Sequence, residues 1–361
     1  MAPGYGDVVS APRGPVDWAT AARVAGRIAP PGSTAPRPVL EDLVEGLREV
    51  AGVAAEHVVR ATRMSPADGR DPAAVSRVIV VDRAGWARAN TRMFEVMAAP
   101  LADATPRATL AGRRAGGLQV GGVLALLSSK VLGQFDPFTP APGRPLEAPG
   151  EGRLLLVAPN VLHVERELKV PEDDFRLWVA LHEQTHALQF AAAPWLAAHL
   201  RERSGQLLTD FARTSDEPVG TLMTGLSRVV SGTGSVLDVL TPEQRDLFDE
   251  VGAVMALLEG HADVTMDAVG RGVVPSVREI RRKFEARRDS GANARGTGRL
   301  VRRLLGMDEK LAQYREGAAF VRAVRRRVGV SGFNEVWTAA AHLPTSAEIA
   351  EPDAWVRRVH G

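Results

Sequence analysis

The stretch WVALHEQTHALQF, at 178–190, places two histidines four residues apart, with a glutamate directly after the first. In a helix, His182 and His186 would be separated by about 40° around the axis, so both imidazoles could bind one cation. Glu183 would lie about 100° round from His182, beside that face. A carboxylate there can take a proton from a metal-bound water without becoming a ligand. The spacing therefore predicts a hydrolytic zinc site with Glu183 as general base.

The residues around the two histidines argue against an ordinary surface helix. Two solvent-exposed histidines would be surrounded by polar and charged neighbours. Here the neighbours are apolar on most sides of the helix, and they include Trp178, Leu181 and Leu188. Because buried imidazoles without partners are costly, the apolar surroundings favour histidines that bind a metal ion.

A catalytic zinc ion usually has three protein ligands and one water. The chain has no cysteine, so the third ligand must be His, Asp or Glu. The segment VMALLEGHADVTMDAVG, at 254–270, has the apolar period of a buried helix and carries Glu259 and Asp263 on one face. One of these could ligate the metal while the other accepts a hydrogen bond from a ligating imidazole, and we favour Glu259 as the ligand. The alternative is a site of three histidines that uses His261, about 200° round the helix from Glu259.

Hydrolysis of an amide bond also needs a donor for the developing oxyanion, a contribution of about 3 kcal/mol. The candidates for this role are His261, Tyr314, which is one of only two tyrosines in the chain, and one of the many arginines. His261 and Tyr314 each have a structural alternative, namely a packed histidine with a backbone partner and a core tyrosine with a satisfied hydroxyl. The sequence leaves both alternatives open.

Composition limits the remaining possibilities. In 361 residues, 45% are hydrophobic and 24% charged, with a net charge of +2, as in a soluble globular protein. The lack of cysteine excludes disulfides, thiol nucleophiles and thiolate metal sites. The most apolar window, 116–133, contains Gln119, Lys130 and several glycines, and it is shorter than the ~20 apolar residues of a membrane-spanning helix. No signal peptide is visible, so we expect a cytoplasmic protein with no membrane partner.

The distribution of periodic segments predicts one helix-rich domain. Residues 1–36 are rich in Pro and Gly and are interpreted as a flexible N-terminal arm; residues 37–361 are interpreted as a single domain. Apolar residues at helical spacing dominate, and β-branched or apolar runs predict only two strands. The fold class is therefore mainly α (α+β), with a small sheet. The predicted helices are 38–64, 172–191, 241–270 and 299–328, and the predicted strands are 76–83 and 153–159.

Together these motifs resemble a known family. HEQTH followed on a later helix by EGHAD is similar to the gluzincin arrangement, and more specifically the chain resembles an actinobacterial zincin-like family of metalloproteases or hydrolases. Some members of that family carry a label for association with deazaflavin-coenzyme biosynthesis. The segments that carry the resemblance are VLGQFDPF at 131–138, LLLVAPNVLHVERELKV at 154–170, DFRLWVALHEQTHALQFAAAPWLAAHL at 174–200, ALLEGHADVTMDAVG at 256–270, LLGMDEKLAQYREGAAFVRAV at 304–324 and LPTSAEIAEPDAWVRRV at 343–359.

The resemblance implies a zincin-like metalloprotease fold and one Zn²⁺ ion. Matched residue by residue, it implies His182, His186 and Glu259 as ligands, Glu183 as the base, and Asp263 as the carboxylate that supports a ligand. The implied substrate is a peptide or amide of unassigned identity. The deazaflavin label implies membership of a group, and it does not imply a reaction.

Two other functions compete with a zinc hydrolase. A catalytically silent, zinc-stabilised scaffold would keep the metal ligands without turnover. A module for nucleic acid or an acidic partner is suggested by the arginine-rich segments 277–306 and 321–329. In both segments the arginines alternate with acidic and apolar residues at helical spacing, and aromatic side chains that could stack on bases are scarce. We therefore interpret these segments as solvated helix faces and expect no nucleic-acid partner.

Overall fold

The computed structural model describes residues 14–104, 108–146, 148–214, 240–292 and 307–361, and this part of the chain is mostly helical with a small sheet. The predicted mainly α class is confirmed. The helices are α1 Trp18–Ile28, α2 Arg37–Thr62, α3 Arg83–Met97, α4 Leu101–Ala104, α5 Leu110–Leu127, α6 Ala158–Leu168, α7 Glu172–Ala192, α8 Trp195–Thr214, α9 Pro242–Val269, α10 Val277–Ala292, α11 Met307–Phe333, α12 Ser346–Ala350 and α13 Pro352–His360. Short 3-10 turns lie at Pro72–Ala74, Asn334–Trp337 and Ala340–His342.

A sheet of three strands lies beside the helices. Its strands are β1 Arg77–Val81, β2 Gly133–Asp136 and β3 Arg153–Val157, in the order β1-β3-β2. β3 pairs parallel with β1 and antiparallel with β2, and it is the most buried of the three. β2 packs against α7. The sequence analysis did not predict β2, because this four-residue strand contains a glycine and only one strong β-former, Phe135.

α7 carries the motif and lies at the centre of the fold. Glu172, Asp173 and Asp174 occupy its first turn, where the helix dipole favours negative charge. The Asp174 carboxylate also accepts a hydrogen bond from the Ser276 N–H at 2.8 Å, which ties this end of α7 to the start of α10. The rest of the helix is buried on most sides, by α2, α9 and β2. Such burial holds the functional side chains of α7 in fixed positions.

α9 packs closely against both α7 and α11. A capping box begins α9, since Thr241 and Gln244 each bond to the other's backbone N–H. Farther along, Gly260 lies against Gly317 of α11, where an added Cβ at 260 would lie 2.2 Å from the Gly317 carbonyl carbon. Only glycine permits this approach. The close contact fixes the stretch of α9 that carries Glu259.

The predicted N-terminal arm contains a packed helix. Asp17 begins α1 by accepting a hydrogen bond from the Thr20 N–H at 3.0 Å, and Ala21 and Ala25 are fully buried. α1 packs against α5, which contains most of the apolar window noted in the sequence, and against α3. Residues 1–13 lie outside the described residues, and the division of the chain at residue 36 stays a prediction. Among the described helices, none has both the length and the apolar character needed to cross a membrane.

Candidate metal centre

Helices α7 and α9 bring three potential ligands together. The Nε2 atoms of His182 and His186 are 3.2 Å apart. One oxygen of Glu259 lies 3.4 Å from His182 Nε2, and the other lies 3.6 Å from His186 Nε2. Within the described residues this is the only group of three or more acidic, histidine or cysteine side chains that could hold one metal ion. All three side chains are part-buried, with exposed fractions between 12% and 28%.

The geometry of this cluster fits a zinc ion. Ligand atoms at ~2.1 Å from a tetrahedral zinc ion are roughly 3.4 Å apart. The two Nε2 atoms, 3.2 Å apart, and the nearest Glu259 oxygen to each, at 3.4 and 3.6 Å, are all spaced close to that value. Two imidazoles and one carboxylate are also a common ligand set of catalytic zinc, and a set of three leaves a fourth position for water.

Glu183 lies beside the cluster and is held from the side of β2. The residue is 5% exposed, and its carboxylate accepts a hydrogen bond from the Phe135 backbone N–H. A Cβ at position 133 would lie 2.6 Å from Glu183 Cγ, so Gly133 leaves the room that this side chain occupies. Burial and the nearby Glu259 raise the pKa of Glu183 to about 7, against the opposing effects of His182 and the Phe135 N–H. Such a carboxyl group can both accept and donate a proton near neutral pH.

The two imidazoles differ in protonation. Burial lowers the pKa of both rings. For His182, the hydrogen bond and charge of Glu259 outweigh burial and raise the pKa to about 9. For His186, burial prevails and the pKa is lowered, with the charge of His182 acting in the same direction. In the metal-free protein, His182 is therefore the positively charged ring of the pair, and His186 is the neutral one.

The Nδ1 atom of each imidazole faces an uncharged side chain. His182 Nδ1 lies 3.3 Å from the sulfur of Met266, and His186 Nδ1 lies 2.9 Å from Oε1 of Gln189. An acceptor at Nδ1 leaves Nε2 free to bind a metal ion. The sequence analysis did not identify Gln189, although its position one turn after His186 is visible in the sequence.

The expected role of Asp263 needs correction. Its carboxylate accepts a hydrogen bond from Nη1 of Arg281 at 2.9 Å, and its backbone carbonyl accepts a second from the same guanidinium at 3.2 Å. The described hydrogen bonds include none between Asp263 and either imidazole. A guanidinium competes well for a carboxylate because the hydrogen bond is charge-assisted. Asp263 affects the cluster through its charge, as the last of several contributions to the raised pKa of His182.

His261 does not reach the cluster. It is fully buried between the rings of Phe333 and Trp337, each 5.3 Å away. Its Nδ1 lies 3.0 Å from the amide nitrogen of Gln189, and its Nε2 lies 2.8 Å from the Arg325 guanidinium. The cause is helix geometry, since a residue two positions after Glu259 points to the other side of α9. The structure therefore does not bring His261 into the cluster, either as a third imidazole ligand or as a donor beside it.

Tyr314, the other candidate donor, lies in α11, but its side chain lies outside the described residues. Its role stays a prediction. Gly133 is the second residue that the sequence analysis missed, even though it falls within the quoted segment VLGQFDPF. Its importance depends on a contact with Glu183, 50 positions away in the chain, and no local pattern indicates such a contact.

Comparisons with known proteins agree with this geometry. The sequence profile described as zincin-like metallopeptidase matches residues 16–356. A crystal structure from Chloroflexus aurantiacus, described as that of a "putative hydrolase with a novel fold", is similar with a TM-score of 0.65 and 30% sequence identity, over 95% of this chain and 98% of that one. No curated protein matches the sequence. The match along nearly the whole chain shows that the protein belongs to the zincin-like metallopeptidase family.

Proposed function

We propose that the protein is a gluzincin-type zinc hydrolase that cleaves a peptide or other amide bond. The observation that carries the proposal is the convergence of His182, His186 and Glu259 on one point, with the buried carboxyl group of Glu183 beside them. Three ligands and an adjacent base are the parts that metal-assisted hydrolysis requires. The family supports the same chemistry.

In the proposed mechanism, His182, His186 and Glu259 would hold the zinc ion. When bound there, zinc would supply Lewis acidity, polarising the substrate carbonyl and lowering the pKa of water toward ~7. Glu183 accepts the proton of the attacking water and then donates it to the leaving nitrogen. The Phe135 N–H holds its carboxylate in place for both steps.

The position of β2 supports an extended peptide as the substrate. β2 pairs with β3 along one side, and no other described strand pairs with it. An extended peptide can add to such an edge through backbone hydrogen bonds. Because Gly133 and Phe135 of β2 contact Glu183, a peptide bound along this strand would pass next to the proposed base.

The test combines metal analysis with a peptide-library cleavage assay on purified protein. We expect one zinc ion per chain and cleavage by the wild-type protein. Glu183→Gln should keep the zinc and lose at least ~100-fold in rate, since positioned bases contribute 10²–10⁴-fold. Glu172→Gln is the matched control, because Glu172 lies in the first turn of the same helix and pairs with Arg176 at 2.8 Å.

The outcomes separate the proposal from a catalytically silent scaffold. One zinc ion per chain without cleavage of any peptide would favour the scaffold, including one that acts in deazaflavin-coenzyme biosynthesis. Equal rates for Glu183→Gln and wild type would show that Glu183 is not the base. A wild-type protein without zinc would contradict the metal site itself.

A further inference from the structure

Gln189 connects the two helices that carry the proposed ligands. It is fully buried in α7, and its Oε1 lies 2.9 Å from Nδ1 of His186. Its amide nitrogen donates a hydrogen bond to the backbone carbonyl of Leu258 in α9 at 2.9 Å. The same nitrogen lies 3.0 Å from Nδ1 of His261. One amide thus contacts a proposed ligand on α7 and two residues of α9, Leu258 and His261, which come shortly before and after the proposed ligand Glu259 in the chain.

The Leu258 carbonyl sets the orientation of this amide. A carbonyl oxygen can only accept, so the NH₂ end of Gln189 must face Leu258. The amide oxygen then faces His186 and accepts from its Nδ1–H. A neutral imidazole with its proton on Nδ1 has its lone pair on Nε2, the atom that lies 3.2 Å from His182 Nε2 in the cluster.

We propose that Gln189 is the positioning residue of the metal centre. It holds His186 in the Nδ1–H form with Nε2 directed to the cation, and it fixes the distance between α7 and α9. This inference rests on the proposed function, because it assigns Gln189 a role toward the zinc ion. The assignment differs from the sequence expectation, which placed that role on Asp263.

A purely structural role for a buried amide is the competing explanation, and Gln184 provides a matched control for it. Gln184 lies in the same helix, is 2% exposed, and donates its amide N–H to the Ala51 carbonyl of α2 at 2.9 Å. It makes the same kind of bond as Gln189, but to a helix that carries no ligand. Methionine at either position keeps the volume and removes the amide.

The experiment measures zinc affinity by competition with a chromophoric chelator, together with the visible spectrum of the Co²⁺-substituted protein. We expect Gln189→Met to lose about 10- to 100-fold in zinc affinity, the usual effect of removing a partner of a ligating imidazole, and to change the Co²⁺ spectrum. Gln184→Met should lose a comparable amount of stability while keeping wild-type affinity and spectrum. Equal affinities in the two variants, whether both lowered or both unchanged, would overturn the proposal.

A second measurement needs neither zinc nor a variant. In the metal-free wild-type protein, the ¹⁵N chemical shifts of the His186 ring report which nitrogen carries the proton. We expect the Nδ1–H form. An Nε2–H form would overturn the proposed role of Gln189, whether or not the protein binds zinc. A wild-type protein that binds no zinc but shows the Nδ1–H form would instead contradict the proposed function and leave the Gln189–His186 hydrogen bond supported.

Discussion

Replacing Gly133 with alanine adds one methyl group against the proposed base. The new Cβ would lie 2.6 Å from Glu183 Cγ and 2.8 Å from both its Cδ and Oε1. Gly133 is not among the glycines with a positive φ, so alanine can adopt its backbone conformation without strain. The substitution therefore acts through its contact with Glu183.

The size of the effect follows from these distances. Ordinary contact begins at 3.4 Å, so Glu183 or β2 must move by about 0.8 Å to relieve the closest approach. α7 is buried on most sides and cannot retreat easily. A displacement of ~1 Å in a catalytic group can cost about 100-fold in rate, or roughly 2.7 kcal/mol of transition-state stabilisation.

The assay measures kcat for Gly133→Ala on a peptide cleaved by the wild-type protein, alongside its zinc content. We expect kcat to fall about 100-fold and zinc to remain at one ion per chain, because the three atoms nearest to the new methyl group all belong to Glu183 and not to a proposed ligand. Gly52→Ala in α2 is the control, since nothing lies within 4 Å of a Cβ added there, and it should gain about 0.5–1 kcal/mol in stability. Wild-type kcat in Gly133→Ala would refute the placement of Glu183 as base.

Three further predictions concern packing, the ion pair and pH. Gly260→Ala should lower the free energy of unfolding by about 1–3 kcal/mol in urea denaturation, because its Cβ would lie 2.2 Å from Gly317; an unchanged midpoint would contradict the close packing. Asp263→Asn breaks an ion pair with Arg281, so chelator competition should show much less than the ~10-fold loss of zinc affinity expected for an imidazole partner. In the metal-free protein, folding raises the pKa of Glu183 from 4.5 to about 7 and that of His182 from 6.5 to about 9. Because the folded state binds these two protons more tightly, the stability of the metal-free protein falls as pH rises from about 4.5 to about 9. The gap in Tm between zinc-loaded and metal-free protein should therefore widen from pH 5 to pH 9, and a gap that narrows would contradict these shifts.

Local periodicity was enough to predict the helices that carry the site. The spacing of His182 and His186 fixes their common face, and the spacing from Glu259 to His261 fixes opposite sides of α9. Both follow from helix geometry, so the sequence analysis could predict which side chains would be able to converge. The structure brings together the three residues that the sequence favoured as ligands.

Contacts between separate elements could not be predicted in this way. The partner of Asp263 is Arg281, and the choice between a guanidinium and an imidazole depends on how α10 packs against α9. Gln189 owes its orientation to a backbone carbonyl of α9. β2 was missed because four residues with one β-former give no period to detect. Yet this strand supplies the Phe135 N–H that bonds to Glu183 and the glycine that leaves room for its side chain.

Anomalous diffraction from crystals of the zinc-loaded protein, collected at the zinc absorption edge, tests the central claim most directly. We predict a single anomalous peak at about 2.1 Å from Nε2 of His182, Nε2 of His186 and one carboxylate oxygen of Glu259. A peak at another place, or a Glu259 carboxylate too distant to ligate, would contradict the account.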